Sequence, residues 1–287
     1  MKIRLRGSDR FIEEPAYGEG ALRFLYETAP GRVLLRGLVD PRVSQWRANY
    51  QNSPKSRKDI IPFATRLGID LRGYDLSQFA CFNDFFTRKR ENHTDAAPDE
   101  LIAVADSRLS VWPVTEALTL RIKHSLYTLR EIAGEQADLR AFRGGHCLVF
   151  RLAVQDYHRY VFPDAGRVLS VTEIPGVLHT VRPVSENFRV YARNSRTVTL
   201  LETQHFGKLM MIEVGAMLVG AIRNHPVEQF ARLDEKGYFE YGGSTILLLT
   251  GPGVEIDADL LEESRRGTET LVTVGDKIGA VKGEATC

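Results

Sequence analysis

The chain of 287 residues is long enough to bury one large hydrophobic core or two ordinary ones. Hydrophobic residues make up 43% of it and charged residues 26%, which is typical of a folded protein and excludes a disordered or fibrous one. The net charge of +1 conceals an asymmetry, because residues 1–90 carry 17 Lys and Arg against 10 Asp and Glu, whereas the remainder carries 21 against 27. A basic N-terminal third indicates contact with an anionic surface, nucleic acid or lipid, or simply a solvated helical face.

The cysteines and the apolar runs exclude two further classes of protein. Cys81, Cys147 and Cys287 are widely separated, odd in number and without C-x-x-C spacing, so the sequence predicts neither a disulfide framework nor a metal site. This pattern fits a reducing cytosol. The longest run of apolar or small residues, 214–222, is far shorter than the roughly 20 residues that span a bilayer, so no membrane crossing is expected.

Four short helices are predicted in the N-terminal third, separated by strong helix breakers. Their apolar side chains alternate with Arg and Lys, a composition typical of helices that lie in a membrane interface. Packing of the same faces on a core is the alternative, and it is preferred for any single helix. The predicted helices are ALRFLYET (21–28), RVLLRGLV (32–39), VSQWRANYQN (43–52) and KDIIPFATRLG (58–68), the last with Ser56 as its N-cap.

After the first hundred residues, short β-branched and aromatic segments recur between turn residues. The polar segment 91–100 marks the change, so we expect an N-terminal helical, membrane-surface-associating region over residues 1–95 and a β-rich catalytic core over residues 96–287. Near the end, LVTVGDKIGAVKGE (271–284) predicts a hairpin across a Gly-Asp turn, similar to the hairpins of biotinyl and lipoyl carrier domains. The expected fold class is α+β, with short N-terminal helices followed by a β-rich core that resembles a barrel-sandwich hybrid.

The segment YFEYGGSTILLL (238–249) places Gly242, Gly243 and Ser244 at the start of a predicted strand, where glycine is costly and gives the pleat nothing to pack. A hydrolase elbow would need glycine at position 246, which is Ile. A phosphate-binding loop would need Gly-x4-Gly-Lys-Ser/Thr, which the sequence lacks. Two explanations are left for these three residues: a structural turn before the strand, or a chemical role for Ser244. A serine hydroxyl at a strained turn can attack the preceding carbonyl, and elimination and hydrolysis then cut the chain and leave a pyruvoyl group.

Five segments together resemble the phosphatidylserine decarboxylase family. Each match alone is weak, but the five keep the family's order and cover roughly residues 55–250. The segments are FNDFFTRKR (82–90), AVADS (103–107), DYHRYVFPDAG (156–166), MIEVGAMLVGAI (211–222) and EKGYFEYGGST (235–245). They are similar to the family's F-N-x-F-F-x-R, P-A-D-G, D-Y-H-R-x-H-x-P-x-x-G, V-G-A-x-x-V-G-S-I and K-G-x-E-x-G-x-F-x-x-G/L-G-S-T.

The resemblance implies a self-processing enzyme that converts phosphatidylserine to phosphatidylethanolamine. Cleavage between Gly243 and Ser244 would give chains of 243 and 44 residues, and Ser244 would become a covalent pyruvoyl cofactor, with no metal. The ketone of this group would accept the electrons left by departing carbon dioxide, as pyridoxal phosphate does. Asp106 matches the aspartate that activates the serine hydroxyl together with a histidine. His158 matches the histidine assigned to decarboxylation as proton donor or substrate contact.

One position departs from the family pattern. The second histidine of the D-Y-H-R-x-H segment, the usual base for self-cleavage, falls at position 161, which is Val. A clostridial-type subgroup of the family is similar to this chain in both its D-Y-H-R-Y and its G-V-x-H-T-V segments. Histidine is the natural base because its unperturbed pKa is about 6.5. His179 is therefore the predicted substitute and His158 the next candidate, while an ordinary hydrogen-bonded loop role is the alternative for His179.

The implied substrate would account for the basic N-terminal third, which would hold the enzyme on the cytoplasmic face of the cell membrane as a peripheral protein. The expected partners are phosphatidylserine and the anionic membrane surface, without nucleic acid. The two fragments would stay associated, and a homodimer is left open. Two alternative functions are a pyruvoyl-dependent decarboxylase of a soluble amino acid and a structural homologue that folds without cutting itself.

Three further expectations concern individual side chains. Phe82, Phe85 and Phe86 are expected to pack in the interior. Glu213 lies in an apolar run and would be costly to bury unpaired, so it should meet an arginine or line the site. Arg159 or Arg182 is the candidate cation for the substrate carboxylate.

Overall fold

The computed structural model describes residues 2–13, 18–72, 74–122, 125–217, 221–242 and 244–283. Within these ranges the α-helices are α1 (Glu19–Glu27), α2 (Ala29–Leu38), α3 (Pro41–Gln51), α4 (Ile60–Leu67), α5 (Phe82–Phe86), α6 (Leu129–Ala133), α7 (Val190–Arg193) and α8 (Ala258–Arg265). Short 3-10 helices lie at Pro54–Asp59, Leu76–Gln78, Arg140–Phe142 and Pro183–Phe188. The strands are β1 (Lys2–Leu5), β2 (Phe11–Glu13), β3 (Glu100–Ile102), β4 (Ser107–Pro113), β5 (Thr119–Ile122), β6 (Ser125–Thr128), β7 (His146–Leu152), β8 (Arg159–Val161), β9 (Gly166–Ile174), β10 (Arg196–Thr203), β11 (Gly207–Val214), β12 (Ile222–Asn224), β13 (Gln229–Phe230), β14 (Glu235–Phe239), β15 (Ser244–Thr250), β16 (Val254–Ile256), β17 (Glu269–Val272) and β18 (Lys277–Val281).

The N-terminal helices lie close to where their sequence pattern predicts them. Both α2 and α3 have proline within their first two positions, where the missing N–H removes no helical hydrogen bond. The side chains of Thr28 and Asp40 cap these two helices by accepting hydrogen bonds from backbone N–H groups at 3.1 and 2.8 Å. The prediction of Ser56 as an N-cap is wrong. Ser56 lies inside the 3-10 helix before α4, where its buried hydroxyl bonds to backbone groups, including Phe82 N at 2.9 Å.

A ten-stranded sheet forms the core, in the order β13-β9-β10-β11-β15-β7-β4-β17-β1-β2. Neighbouring strands pair antiparallel, except that β1 and β17 are parallel. The central strand β15 is buried along its whole length. Its side chains alternate between two hydrophobic clusters, with Ile246 and Leu248 in one and Leu247 and Leu249 in the other. Burial on both faces explains why this strand reads as a continuous apolar run.

The α+β class is confirmed, but the ten-stranded sheet is open over the described ranges and does not close into a barrel. The prediction of a hairpin near the end of the chain is wrong. β17 pairs with β4 and β1, whereas β18 pairs with β16 and β3 in a separate sheet. The turn between them bonds elsewhere, since Ala103 N donates to Asp276 O (2.8 Å) and Gly275 N donates to Ala103 O (3.0 Å). These bonds direct the two strands into different sheets.

The N-terminal region contacts the core through its first strands and through its phenylalanine cluster, among other places. β1 and β2 extend the ten-stranded sheet, so the first residues of the chain lie in the core sheet while the division at residue 95 stays a prediction. Phe82, Phe85 and Phe86 are buried, as expected, and their cluster includes Tyr241 from the segment before β15. Asn83 Oδ1 also accepts a hydrogen bond from Tyr241 N at 3.1 Å. The helical region therefore packs against the glycine turn that precedes Ser244.

Candidate active site

Ser244 is the first residue of β15 and lies opposite Leu152 of β7. Its side chain is fully buried, and its hydroxyl oxygen has no hydrogen-bond partner in the described part of the chain. A buried hydroxyl without a partner is costly and calls for a functional explanation. Gly242 has φ 136°, a backbone conformation that any side chain disfavours. Gly243, the predicted cleavage position, lies outside the described residues.

His158 lies beside this turn. Its carbonyl oxygen accepts a hydrogen bond from Phe239 N (3.0 Å) at the end of β14, and its ring packs on Phe86 with 4.2 Å between ring centroids. Its Nδ1 lies 2.9 Å from the carbonyl oxygen of Asp156. Because a carbonyl oxygen can only accept, Nδ1 carries the proton of the neutral ring and Nε2 carries the lone pair. Nε2 is buried and has no hydrogen-bond partner among the residues described.

The surroundings of His158 keep its ring neutral. The pKa of the ring is lowered to about 3, mainly by burial and also by the positive charges of Arg88 and Arg108. The backbone groups of Asp156 and Gly242 oppose this decrease in part. At neutral pH the side chain is therefore an unprotonated base next to the Gly242 turn.

Asp106, which the resemblance assigns to serine activation, is held by an arginine instead of a histidine. The guanidinium group of Arg90 contacts both carboxylate oxygens, with Nη1–Oδ2 at 2.7 Å and Nη2–Oδ1 at 2.5 Å. Val274 N donates a third hydrogen bond to Oδ1 at 2.9 Å. The Arg90 guanidinium also lies over the ring of Tyr157, 4.3 Å from its centroid. These contacts fix the carboxylate in one orientation.

Val161 occupies the position of the family's second histidine. It is fully buried and packs with Tyr157 and Val274, two residues that also contact the Arg90–Asp106 pair. Its backbone N donates to Val104 O at 3.0 Å, in the same segment as Asp106. The fold thus brings this position beside Asp106, but the side chain there is apolar.

His179 lies on the side of the core that faces α1. Its Nδ1 is 3.2 Å from the hydroxyl of Tyr26. Burial, the larger cause, and the charge of Arg193 together lower its pKa to about 4. Asn194 holds its backbone, since Oδ1 accepts from His179 N (3.0 Å) and Nδ2 donates to His179 O (2.7 Å). The hydrogen bonds and ring contacts described for His179 do not include Ser244.

The glycine turn lines an apolar cavity of about 300 Å³ between the helical region and the core. Gly242 and Arg182 both contribute to its wall, so one of the two candidate cations lies in this cavity. The other candidate, Arg159, pairs with Glu235 at 2.6 Å and donates to Thr87 O at 2.6 Å. Most of the wall is apolar and includes Leu22, Leu25, Leu38, Leu152, Val181 and Met217.

Comparison with known proteins decides the family. A sequence profile described as phosphatidylserine decarboxylase matches residues 82–280, which is more than half of the chain. The chain belongs to the phosphatidylserine decarboxylase family. Phosphatidylserine decarboxylase proenzyme 2 of Clostridium acetobutylicum is 43% identical over 93% of this chain and 94% of the relative. Phosphatidylserine decarboxylase proenzyme of Desulfitobacterium hafniense is 34% identical over 97% of this chain and 98% of the relative.

Membership in the phosphatidylserine decarboxylase family confirms the resemblance seen in the sequence and the expectation of an enzyme. The family profile begins at Phe82, after the first four helices. The Desulfitobacterium hafniense relative nevertheless aligns with 97% of the chain, so most of the helical region lies within that alignment.

The phosphatidylserine decarboxylase core also contains a buried charge network. Glu213 was expected to meet an arginine or line the site, but its Oε1 lies 2.9 Å from Nζ of Lys236, and both side chains are buried. Asn224 bridges the pair, because Nδ2 donates to Glu213 Oε2 (3.1 Å) and Oδ1 accepts from Lys236 Nζ (3.0 Å). Burial lowers the pKa of Lys236, and the nearby carboxylate opposes this. Since Glu213 lies opposite Ile246, the network is adjacent to β15.

Sequence reasoning missed two residues that contact the predicted site residues Asp106 and His179. Arg90 ends the FNDFFTRKR segment, so its place in a family motif was an available signal for the partner of Asp106. Tyr26 is 153 positions away from His179, and no spacing or motif relates the two residues. Only the packing of α1 on the core brings them together.

Proposed function

We propose that this protein decarboxylates phosphatidylserine to phosphatidylethanolamine, using a pyruvoyl group that it makes from Ser244 by cutting its own chain after Gly243. One observation carries the proposal. Ser244 begins the central strand with a buried hydroxyl that has no partner, two residues after a glycine with φ 136°. The relatives named phosphatidylserine decarboxylase proenzymes support both the substrate and the processing step.

The residues around Ser244 fit a pyruvoyl group. β15 is paired on both sides, so the backbone after Ser244 is held rigidly, and the cavity beside Gly242 offers space for a substrate. When present, the group supplies a ketone that withdraws electrons from the substrate carbon losing carbon dioxide. The neutral ring of His158 can hold or move a proton at that carbon through Nε2. Arg182 in the cavity wall offers a positive charge to an anionic substrate.

The shape of the cavity supports a lipid over a soluble amino acid. Its wall is largely apolar and extends from Gly242 to leucines of α1 and α2. A free amino acid would leave these side chains in contact with water, whereas a glycerolipid would cover them with apolar chain, and burial of apolar surface contributes roughly 25 cal/mol per Å². The cavity also lies at the boundary with the helical region, which is the part proposed to face the membrane.

The proposed location is the cytoplasmic face of the cell membrane, with the protein bound peripherally. Over the described ranges, no helix combines the length and the apolar character that crossing a bilayer requires. The helical region instead exposes large apolar side chains, with Trp46 73% and Val33 66% exposed. Phe24, Leu34 and Ile61 are exposed on the same group of helices. Insertion of these side chains at the headgroup level, aided by neighbouring Arg and Lys, suits an anionic membrane surface.

Intact mass measurement of the purified protein tests self-cleavage. The expected result is two chains of 243 and 44 residues, the smaller one lacking an amino-terminal amine and reacting with hydrazines. Ser244→Ala should give a single inactive chain, whereas Ser110→Ala, a buried serine of β4, should be cut normally. A folded wild-type chain that stays full length without a reactive carbonyl would refute the proposal and favour a homologue that does not cut itself.

Carbon dioxide release from different substrates tests the lipid assignment. We expect turnover of phosphatidylserine in vesicles and none of free serine or an aromatic amino acid. Leu25→Asp, which puts a charge in the cavity wall, should reduce lipid turnover, whereas Leu169→Asp on exposed strand β9 should not. Preferential turnover of a free amino acid would support the soluble-substrate alternative.

A further inference from the structure

Position 161, where the family places its base for self-cleavage, offers no proton acceptor in this chain. Val161 is fully buried in contact with Tyr157 and Val274. The aspartate that would orient a histidine there, Asp106, has both oxygens engaged by Arg90 at 2.5 and 2.7 Å. In this chain Asp106 therefore pairs with an arginine, and position 161 holds no histidine for it to orient. The proton of the Ser244 hydroxyl must go to another group.

His179 is directed toward Tyr26. The Tyr26 hydroxyl accepts a hydrogen bond from Thr180 N at 2.9 Å, which leaves its own proton for Nδ1 of His179 at 3.2 Å. The His179 ring also packs on Phe188, with 4.9 Å between centroids. Through these contacts, the His179 side chain joins α1 to the core.

Several other ionisable groups close to β15 and to the glycine turn are engaged in ion pairs. Lys236 pairs with Glu213 at 2.9 Å, and Glu240, two residues before Gly242, pairs with Arg223 at 2.9 Å. A group held in an ion pair would have to break that pair before accepting the serine proton.

His158 has the features that these groups lack. Its Nε2 and the Ser244 hydroxyl oxygen are both buried, and neither has a hydrogen-bond partner in the described part of the chain. Both adjoin the turn at Gly242, whose backbone acts on the His158 ring. We propose that His158 Nε2 removes the proton from the Ser244 hydroxyl during self-cleavage, so that one histidine serves both self-cleavage and decarboxylation. This inference rests on the proposed self-cleavage at Ser244.

The chemistry balances with water as the one added reactant. Nε2 takes the hydroxyl proton while Oγ of Ser244 attacks the Gly243 carbonyl carbon, and the C–N bond breaks as the same proton passes to the leaving amine. Water then takes the Ser244 Cα proton as the Cβ–Oγ bond breaks, which releases the Gly243 carboxylate and leaves an enamine, and this proton ends on the ammonia released in the next step, as ammonium. Tautomerisation to the imine and addition of water release ammonia and leave the ketone. No oxidant or reductant is required.

Asp156 and Arg108 act as positioning residues in this scheme. The Asp156 carboxylate forms a buried ion pair with Arg108 and accepts from Ala153 N at 2.7 Å, which fixes the loop between β7 and β8. The carbonyl of Asp156 then holds the proton on Nδ1 of His158 and leaves Nε2 as the base. Asp106 and Arg90 likewise hold the adjacent segment.

Cleavage of freshly translated chain tests the inference. Cell-free synthesis followed by gel electrophoresis gives the rate at which the 287-residue precursor disappears. His158→Ala should slow cleavage at least about 100-fold, as loss of a general base does, and added imidazole should restore part of the rate. His158→Asn keeps a donor for the Asp156 carbonyl but lacks Nε2, so it should be equally slow. His179→Ala should cut within about threefold of the wild-type rate.

The folding of each variant is compared with that of uncut Ser244→Ala by thermal unfolding. Normal cleavage in a folded His158→Asn chain would overturn the inference, and loss of cleavage in His179→Ala alone would assign the base to His179. If neither His158 variant folds, 4-fluorohistidine incorporated into a His179→Gln chain decides. This less basic ring should slow cleavage, and an unchanged rate would overturn the inference. A wild-type chain that never cuts would instead refute the proposed function.

Discussion

The hydroxyl of Tyr26 in α1 joins the helical region to the core by contacting His179 Nδ1 at 3.2 Å and accepting from Thr180 N at 2.9 Å. Tyr26→Phe would leave both of these buried groups without a partner, at a cost of about 1–3 kcal/mol in the free energy of unfolding. Urea unfolding of the uncut Ser244→Ala chain with and without the substitution measures this cost.

Tyr50→Phe provides the matched control for Tyr26→Phe. The Tyr50 hydroxyl donates to Asp59 at 2.9 Å in a partly exposed position of the same region. Its loss should therefore change the free energy of unfolding by less than half as much. Equal effects of the two substitutions would show that the Tyr26 contact does not anchor α1.

Replacing one member of the buried Glu213–Lys236 pair should be severely destabilising. Lys236→Met leaves the Glu213 carboxylate buried without a cation, which typically costs about 3–5 kcal/mol. The double variant Glu213→Gln with Lys236→Met should recover part of this loss. Chemical denaturation checks both, with the exposed Lys208→Met as a control that should change little. A fully stable Lys236→Met chain would contradict the proposed importance of the pair.

Acid should destabilise the folded chain through two buried histidines. The pKa values of His158 and His179 are lowered to about 3 and about 4 in the folded chain, below the unfolded value of 6.5. The unfolded chain therefore binds protons that the folded chain does not, so their contribution is complete above about pH 6.5 and is lost as the pH falls toward 4. Each histidine contributes a slope of at most about 1.4 kcal/mol per pH unit. Charges of Arg88 and Arg108 near His158, and of Arg193 near His179, act in the same direction.

Urea unfolding of Ser244→Ala between about pH 7 and about pH 5 measures this acid effect. His179→Gln should reduce the slope of the free energy of unfolding against pH by the equivalent of about one bound proton. His93→Gln should not, because the His93 side chain is 82% exposed. A dependence unchanged by His179→Gln would mean that His179 titrates alike in both states.

Trp46 should contribute strongly to membrane binding. Burial of a large apolar side chain is worth roughly 1.5–3 kcal/mol, so Trp46→Ser should weaken binding to anionic vesicles about tenfold or more. Co-sedimentation with vesicles measures the affinity, and added salt should weaken wild-type binding. Leu126→Ser removes an exposed apolar side chain of β6 in the core and should have no effect. Equal binding of Trp46→Ser and wild type would place the membrane-binding surface elsewhere.

Local signals predicted the N-terminal helices well, whereas the hairpin prediction failed for a nonlocal reason. The helices begin at proline-containing segments with Thr28 and Asp40 as caps, and these features act within a few residues. The Gly-Asp turn after β17 has an ordinary hairpin sequence, but its backbone bonds to Ala103 and separates the flanking strands. A pairing set by residues far away in the sequence is invisible to a local pattern.

In the candidate site, too, features within a short motif could be predicted, whereas contacts between distant residues could not. Ser244, Asp106 and His158 could be singled out because each lies in a short motif with its own residue spacing. The motifs did not identify the contacts of these residues, because Arg90 also lies in a motif but its pairing with Asp106 is visible only in the folded chain. The burial of His158 Nε2 without a partner could not be predicted either, because it depends on the packing of Phe86 and of the Gly242 turn around the ring.

Both β15 and β17 are interior strands of the ten-stranded sheet, and both follow Ser244 in the chain. A cut before Ser244 would leave the 44-residue product threaded between strands of the larger one, with β15 between β11 and β7 and β17 between β4 and β1. The two fragments could separate only if the strand pairings of both β15 and β17 were broken. The newly made terminus would then begin an interior strand, so the position of the reactive carbonyl would be set by the pairing of that strand with its neighbours.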